Sequence, residues 1–71
     1  MIQDSVHTAF LNQLVKQAVP VTVFLNSGVR LQGYITHFDD VAFVLRRETH
    51  AQLIYTASVS NIMPAAPMEW E

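Results

Sequence analysis

At Val19-Pro20 the apolar spacing of this sequence changes period, and that change limits the possible folds more than any other feature. Before it, Val6, Phe10, Leu11, Leu14 and Val15 recur at helical intervals. The spacing predicts one amphipathic helix over residues 4–17, with Asp4 or Ser5 as the capping residue that accepts from free backbone N–H groups. Pro20 lacks a backbone donor and disfavours helix in the residue before it, so the helix must end upstream. A helix this short is marginal in water, and its apolar stripe needs a surface to lie on.

After Pro20 the period is that of strands. Val21, Val23 and Leu25 alternate with Thr22 and Phe24. Asn26-Ser27-Gly28 reads as a hairpin turn, with Gly28 supplying the left-handed position. A second strand is expected from Val29 to Phe38, with Val29, Leu31 and Ile35 alternating with Arg30, Gln32, Tyr34 and Thr36. Gly33 interrupts it, as a glycine does where a strand bends sharply. Asp39-Asp40 reads as a turn built on carboxylate-to-backbone bonding. A third strand follows over Val41–Arg46, then a polar connection over Arg47–Ala51. Short fourth and fifth strands are expected over Gln52–Thr56 and Ser58–Met63. Pro64-Ala65-Ala66-Pro67 ends regular structure, giving one domain over residues 1–64 and a short tail over 65–71, expected to be mobile.

The expected fold class is therefore mainly β with one N-terminal α-helix: a five-stranded, strongly bent antiparallel sheet, close to a small open barrel. Short terminal strands leave open margins, which are a hazard unless paired. A chain of 71 residues buries only a modest core, and without cysteine it has neither disulfides nor thiolate metal sites to support it. Hydrophobic residues make up 51% of the chain and charged residues 14%, which suits a protein with an interface to bury. Pairing one subunit's margin with the complementary margin of the next generates a ring by rotation.

The composition also narrows function. No apolar run is long enough to cross a bilayer, and Met1-Ile2-Gln3-Asp4 has neither the basic nor the apolar region of a signal peptide, so a cytoplasmic location without membrane contact is expected. The formal charge is −2, and only Lys16, Arg30, Arg46 and Arg47 are available to meet phosphates. This balance argues mildly against a nucleic-acid partner, and any such site must use stacking, hydrogen bonding and the repetition of a few cations around a ring. Arg46-Arg47 reads as a charged strand end, with a phosphate patch as the sharper alternative. His7, His37 and His50 lack ligand spacing, so no metal or other cofactor is expected. Glu69-Trp70-Glu71 reads as an acidic tip. No nucleophile elbow or phosphate-binding loop occurs, and the chain is not expected to be an enzyme.

The segment from Val19 to Gly33, continuing to Phe38-Asp39, resembles the first motif of the Sm-like family in its Hfq branch. Phe10-Leu11-Asn12-Gln13-Leu14 resembles that branch's helix, and Gln52-Leu53-Ile54-Tyr55 with Ser58-Val59-Ser60-Asn61-Ile62 its second motif, so the likeness spans residues 3–64. It implies an RNA chaperone for post-transcriptional regulation, assembled as a homohexamer, a heptamer being typical of other Sm rings. It also implies a distal face for adenine-rich single-stranded RNA, whose positions here are Phe24, Gly28, Val29, Arg30, Leu31, Gln32, Gln52 and Asn61.

The proximal face and rim are weaker. Asn12 and Lys16 are a remnant of the family's basic rim. Phe38, Asp40 and Tyr55 stand at the uridine pocket, but Tyr55-Thr56-Ala57 replaces the usual Tyr-Lys-His. Asp40 replaces an amide there, and Val41 replaces a stacking aromatic. Two alternatives follow from these losses: a ring scaffold for protein contacts that has lost RNA binding, and a subunit that mixes into a conventional ring.

Overall fold

The computed structural model describes residues 6–69. The expected helix cap at Asp4 or Ser5 lies outside the described residues. Helix α1 (Val6–Gln17) is followed by strands β1 (Pro20–Leu25), β2 (Arg30–Phe38), β3 (Ala42–Arg47) and β4 (His50–Tyr55). A short 3₁₀ turn (Thr56–Ser58) then leads into β5 (Val59–Pro64).

The end of α1 explains how the chain leaves the helix without glycine. Ala18 adopts the left-handed conformation at φ 52. The Val19 N–H donates to the Leu14 carbonyl at 3.1 Å, and the Ala18 N–H to the Val15 carbonyl at 3.2 Å. This is the Schellman pattern, which satisfies helix-end carbonyls and brings the residue after the left-handed one against the helix. Leu14 and Val19 are both buried, so the cap also closes the core.

The five strands form one sheet in the order β4-β3-β2-β1-β5, with every pairing antiparallel. Alternation decides which side is dry. Val21 and Val23 of β1, Ile35 of β2, Phe43 and Leu45 of β3 and Ile54 of β4 face the core. Leu11 and Leu14 of the helix cover them. Burying side chains of this size contributes roughly 1.5–3 kcal/mol each, an upper estimate against a compact unfolded chain.

The sheet is strongly bent. A straight β2 of 9 residues would be about 30 Å long. Yet the turns beyond its two ends both touch the same 3-residue 3₁₀ segment. The Thr56 N–H donates to the Val41 carbonyl, beyond the end of β2, at 2.8 Å. The Asn26 N–H donates to the Ser58 carbonyl at 2.8 Å, and its side-chain amide to the Ala57 carbonyl at 3.0 Å, before the start of β2. The strand must curl to bring these together. A register shift between Ile35 and His37 lies in its second half, and Gly33 lies near its middle. Further strain is relieved where β1 meets β5: Ser60 is an extra residue opposite the Phe24–Leu25 step, and its hydroxyl donates to the Phe24 carbonyl at 3.2 Å.

Several boundaries differ from the sequence expectation: Thr56 and Ser58 fall in the 3₁₀ turn rather than in β4 and β5, and β5 runs on to Pro64. Val29 lies in the loop, exposed, rather than in β2. Val41 precedes β3. The expected polar connection over Arg47–Ala51 shrinks to Glu48 and Thr49, because Arg47 and His50 pair directly across the hairpin. Residues 50–53 are all exposed at a sheet margin, so no apolar alternation marks them as strand. Glu48 takes the left-handed conformation, φ 55, that so tight a turn requires.

The segment after β5 lies against the domain as far as it is described. The Ala65 N–H donates to the Pro20 carbonyl at 2.8 Å, and Ala66 and Met68 pack against the core. The Gln17 side-chain amide donates to the Glu69 carbonyl at 3.1 Å, while the Glu69 N–H donates back to the Gln17 Oε1 at 3.1 Å. Trp70 and Glu71 lie outside the described residues.

Candidate nucleic-acid interface

Register assigns each sequence-predicted residue to a face, because residues directly opposite in an antiparallel ladder point the same way. Phe24 of β1 stands opposite Arg30 of β2 and opposite Asn61 of β5. The three therefore form one row, Arg30–Phe24–Asn61, on the outer face of the sheet. The adjacent row on that face is Gln32–Thr22–Met63. Phe24 is half-buried, and Arg30, Gln32 and Asn61 are exposed. A ring flanked by a guanidinium and an amide, with a second amide one row away, can stack a base and hydrogen-bond its edge.

Gly28 and Val29 lie at the tip leading into this face. The Gly28 N–H donates to the Leu25 carbonyl and the Leu25 N–H to the Val29 carbonyl, both at 2.9 Å, and Gly28 has φ +95. Nothing would meet a side chain there, so glycine is needed for conformation rather than space.

Leu31 and Gln52 are on the other face. Leu31 is opposite Val23, and Gln52 is opposite Leu45, both core residues. They line a cleft of about 460 Å³ together with Leu45, Arg47, Glu48 and His50. Within one subunit, the eight distal-face residues thus divide between an outer sheet face and a separate cleft. Of these, Arg47 reads from the sequence as a charged strand end or phosphate patch, while Glu48 and His50 are not expected at an RNA site. No sequence signal places Glu48 and His50 beside Gln52, because residues 50–53 carry no apolar alternation.

The residues expected on the proximal side also divide. Asn12 and Lys16 are exposed four positions apart on α1, with Lys16 in its last turn, where a cation complements the helix dipole. Phe38, Asp40 and Tyr55 gather at the opposite end of β2 from Arg30. Phe38 is opposite Phe43, and Ala42 is opposite Tyr55. Asp39 organises this end. One of its carboxylate oxygens accepts from the Val41 N–H at 2.8 Å and the Ala42 N–H at 2.9 Å. The Ala42 and Val41 bonds hold its carboxyl below the ordinary carboxylate range. The adjoining Thr56-Ala57-Ser58 turn carries no charged group. Among the described residues, no cluster of three or more His, Cys, Asp or Glu is arranged to hold a metal ion.

A helix-covered, strongly bent five-stranded antiparallel sheet with β4 and β5 at its two open margins is the Sm-like fold. It superposes on a 1.55 Å crystal structure of the pleiotropic translational regulator Hfq with a TM-score of 0.80, at 24% identity, over 83% of this chain and 98% of that one. The family profile described as Hfq protein matches residues 2–69. The RNA-binding protein Hfq of Rhodospirillum rubrum is 48% identical over 66 residues, 93% of this chain and 80% of the relative. That of Granulibacter bethesdensis is 49% identical over 66 residues, 93% of this chain and 71% of the relative. This chain belongs to the Hfq family.

Proposed function

We propose that the chain is an RNA-binding Sm-like ring protein that acts in post-transcriptional regulation in the cytoplasm. It assembles as a homohexamer and takes adenine-rich single-stranded RNA mainly on the face that bears Phe24. The observation that carries the RNA reading is the Arg30–Phe24–Asn61 row, with Gln32 one row away. The names of the relatives as RNA-binding proteins support it. Ring assembly is supported by the two open margins, where Leu53 of β4 is 60% exposed and Met63 of β5 is 49% exposed. Joining β4 of one subunit to β5 of the next satisfies both margins at once. Repetition around the ring turns weak single contacts into useful affinity, which a subunit with four Lys and Arg residues requires.

The other end of β2 is the poorer RNA surface. Asp39 and Asp40 place carboxylates there, and Thr56-Ala57 supplies neither a cation nor an imidazole. Uridine-rich RNA therefore binds more weakly. The reading gives the chain no catalytic step.

Titration of labelled oligo-A and oligo-U at fixed salt tests this. Oligo-A binds more tightly, and Phe24→Ala weakens it by roughly 1–3 kcal/mol, the worth of one base–aromatic stack. Oligo-U binding as tightly as oligo-A refutes the face assignment. Absence of RNA binding even at low salt favours a protein-binding scaffold instead. Native mass spectrometry counts the subunits, and a heptamer would correct the copy number alone.

A further inference from the structure

We propose that the cleft behind the β3–β4 hairpin seats one nucleotide of the bound RNA, with Arg47 and His50 on its phosphate and Glu48 selecting against uracil. The inference rests on the RNA-binding reading above and adds residues to it.

Three observations support it. First, Arg47 and His50 are the last cross-strand pair before the two-residue turn, so their side chains leave the same face of the hairpin side by side. Arg46, the next residue, points to the opposite face and directs its Nε to the Glu48 carbonyl at 3.4 Å. Second, the cleft is chemically mixed: Leu31 and Leu45 form an apolar floor, Gln52 offers an amide, and Arg47 and His50 supply the basic wall. Its volume of about 460 Å³ falls within the range of small-molecule sites. Third, among the described residues, no side-chain hydrogen bond or ion pair engages Arg47 or His50. An incoming phosphate displaces no internal partner.

Glu48 is the specificity element. An ionised carboxylate only accepts hydrogen bonds. Beside Gln52 it favours a base edge that presents an exocyclic amine, as adenine does. It repels one that presents a carbonyl oxygen there, as uracil does, and such a repulsive group discriminates as effectively as an attractive one.

Labelled oligo-A and oligo-U are titrated at several salt concentrations against the assembled wild type, Arg47→Ala, Arg47→Lys, His50→Ala, Glu48→Gln and Phe24→Ala, with assembly state checked by native mass spectrometry. Arg47→Ala and His50→Ala each weaken oligo-A on the order of five- to tenfold, and Arg47→Ala flattens the salt dependence while Arg47→Lys restores it. Glu48→Gln raises oligo-U affinity relative to oligo-A. Wild-type affinity and salt slope in both alanine variants, alongside weakened binding by Phe24→Ala, overturn the cleft while leaving the outer-face reading intact. A wild type that binds no oligo-A at low salt overturns both.

Discussion

The main-chain carbonyl oxygen of Arg46 lies 2.5 Å from the place a Cβ would occupy at Gly33. The Arg46 carbonyl carbon and the Leu45 side chain follow at 3.2 Å. β2 and β3 approach so closely here because β2 must curl. The glycine is required by that backbone contact, which no side-chain rotation can relieve.

Gly33→Ala should therefore destabilise the subunit by about 1–3 kcal/mol, the usual cost of overpacking. Urea denaturation of the two proteins at equal concentration measures it. An alanine variant as stable as the parent would show that the strands can separate there without loss.

Ala18 presents the converse case. It holds the left-handed position of the Schellman cap at φ 52, a conformation that costs roughly 1–2 kcal/mol for a residue with a Cβ. Ala18→Gly removes that cost but adds freedom to the unfolded chain. The net expectation is a gain of up to about 1 kcal/mol, read as a higher denaturation midpoint. A fall in the midpoint would contradict the strain argument.

The sheet margins predict an assembly phenotype. Leu53→Asp on β4 and Met63→Asp on β5 place carboxylates on exposed apolar positions at opposite margins. Each should dissociate the ring, because a charge buried without a partner costs several kcal/mol. Sedimentation velocity at low concentration reads the outcome. A folded lone monomer of the parent chain would refute ring assembly itself.

Asp39 predicts a modest acid sensitivity. Its carboxyl is held low in the folded state by the Ala42 and Val41 N–H groups. The stabilisation is fully present above the unfolded carboxyl's pKa and is lost as pH falls through the lower folded value. Exposure keeps the effect small. Asp39→Ala should lower the melting temperature at neutral pH, and the difference from the parent should shrink as pH falls from about 6 to about 2. A difference that is constant over this range would rule out the charged turn as its source.

Much of the fold was legible in the residues. The helical spacing of Leu11 and Leu14, the alternation of Val21 and Val23, and the turns at Gly28 and Asp39 are local signals, and the structure follows them. The hairpin at Glu48-Thr49 was not legible. Its fourth strand lies at a margin with a single buried residue, Ile54, so the usual mark of a strand is missing. The site was legible only in part. Alternation put Arg30 and Gln32 on one face of β2, but only pairing brought Phe24 and Asn61 beside Arg30 and set Gln52 with Leu31 in a separate cleft.

What the sequence settled by itself was the kind and order of the elements, because period, turn chemistry and the proline boundary act over a few neighbouring residues. What tertiary structure decided was which distant residues share a face. That depends on strand register and on the curl that lets one short turn touch both ends of β2. Both are set by backbone pairing between segments far apart in the chain, and no local pattern encodes them.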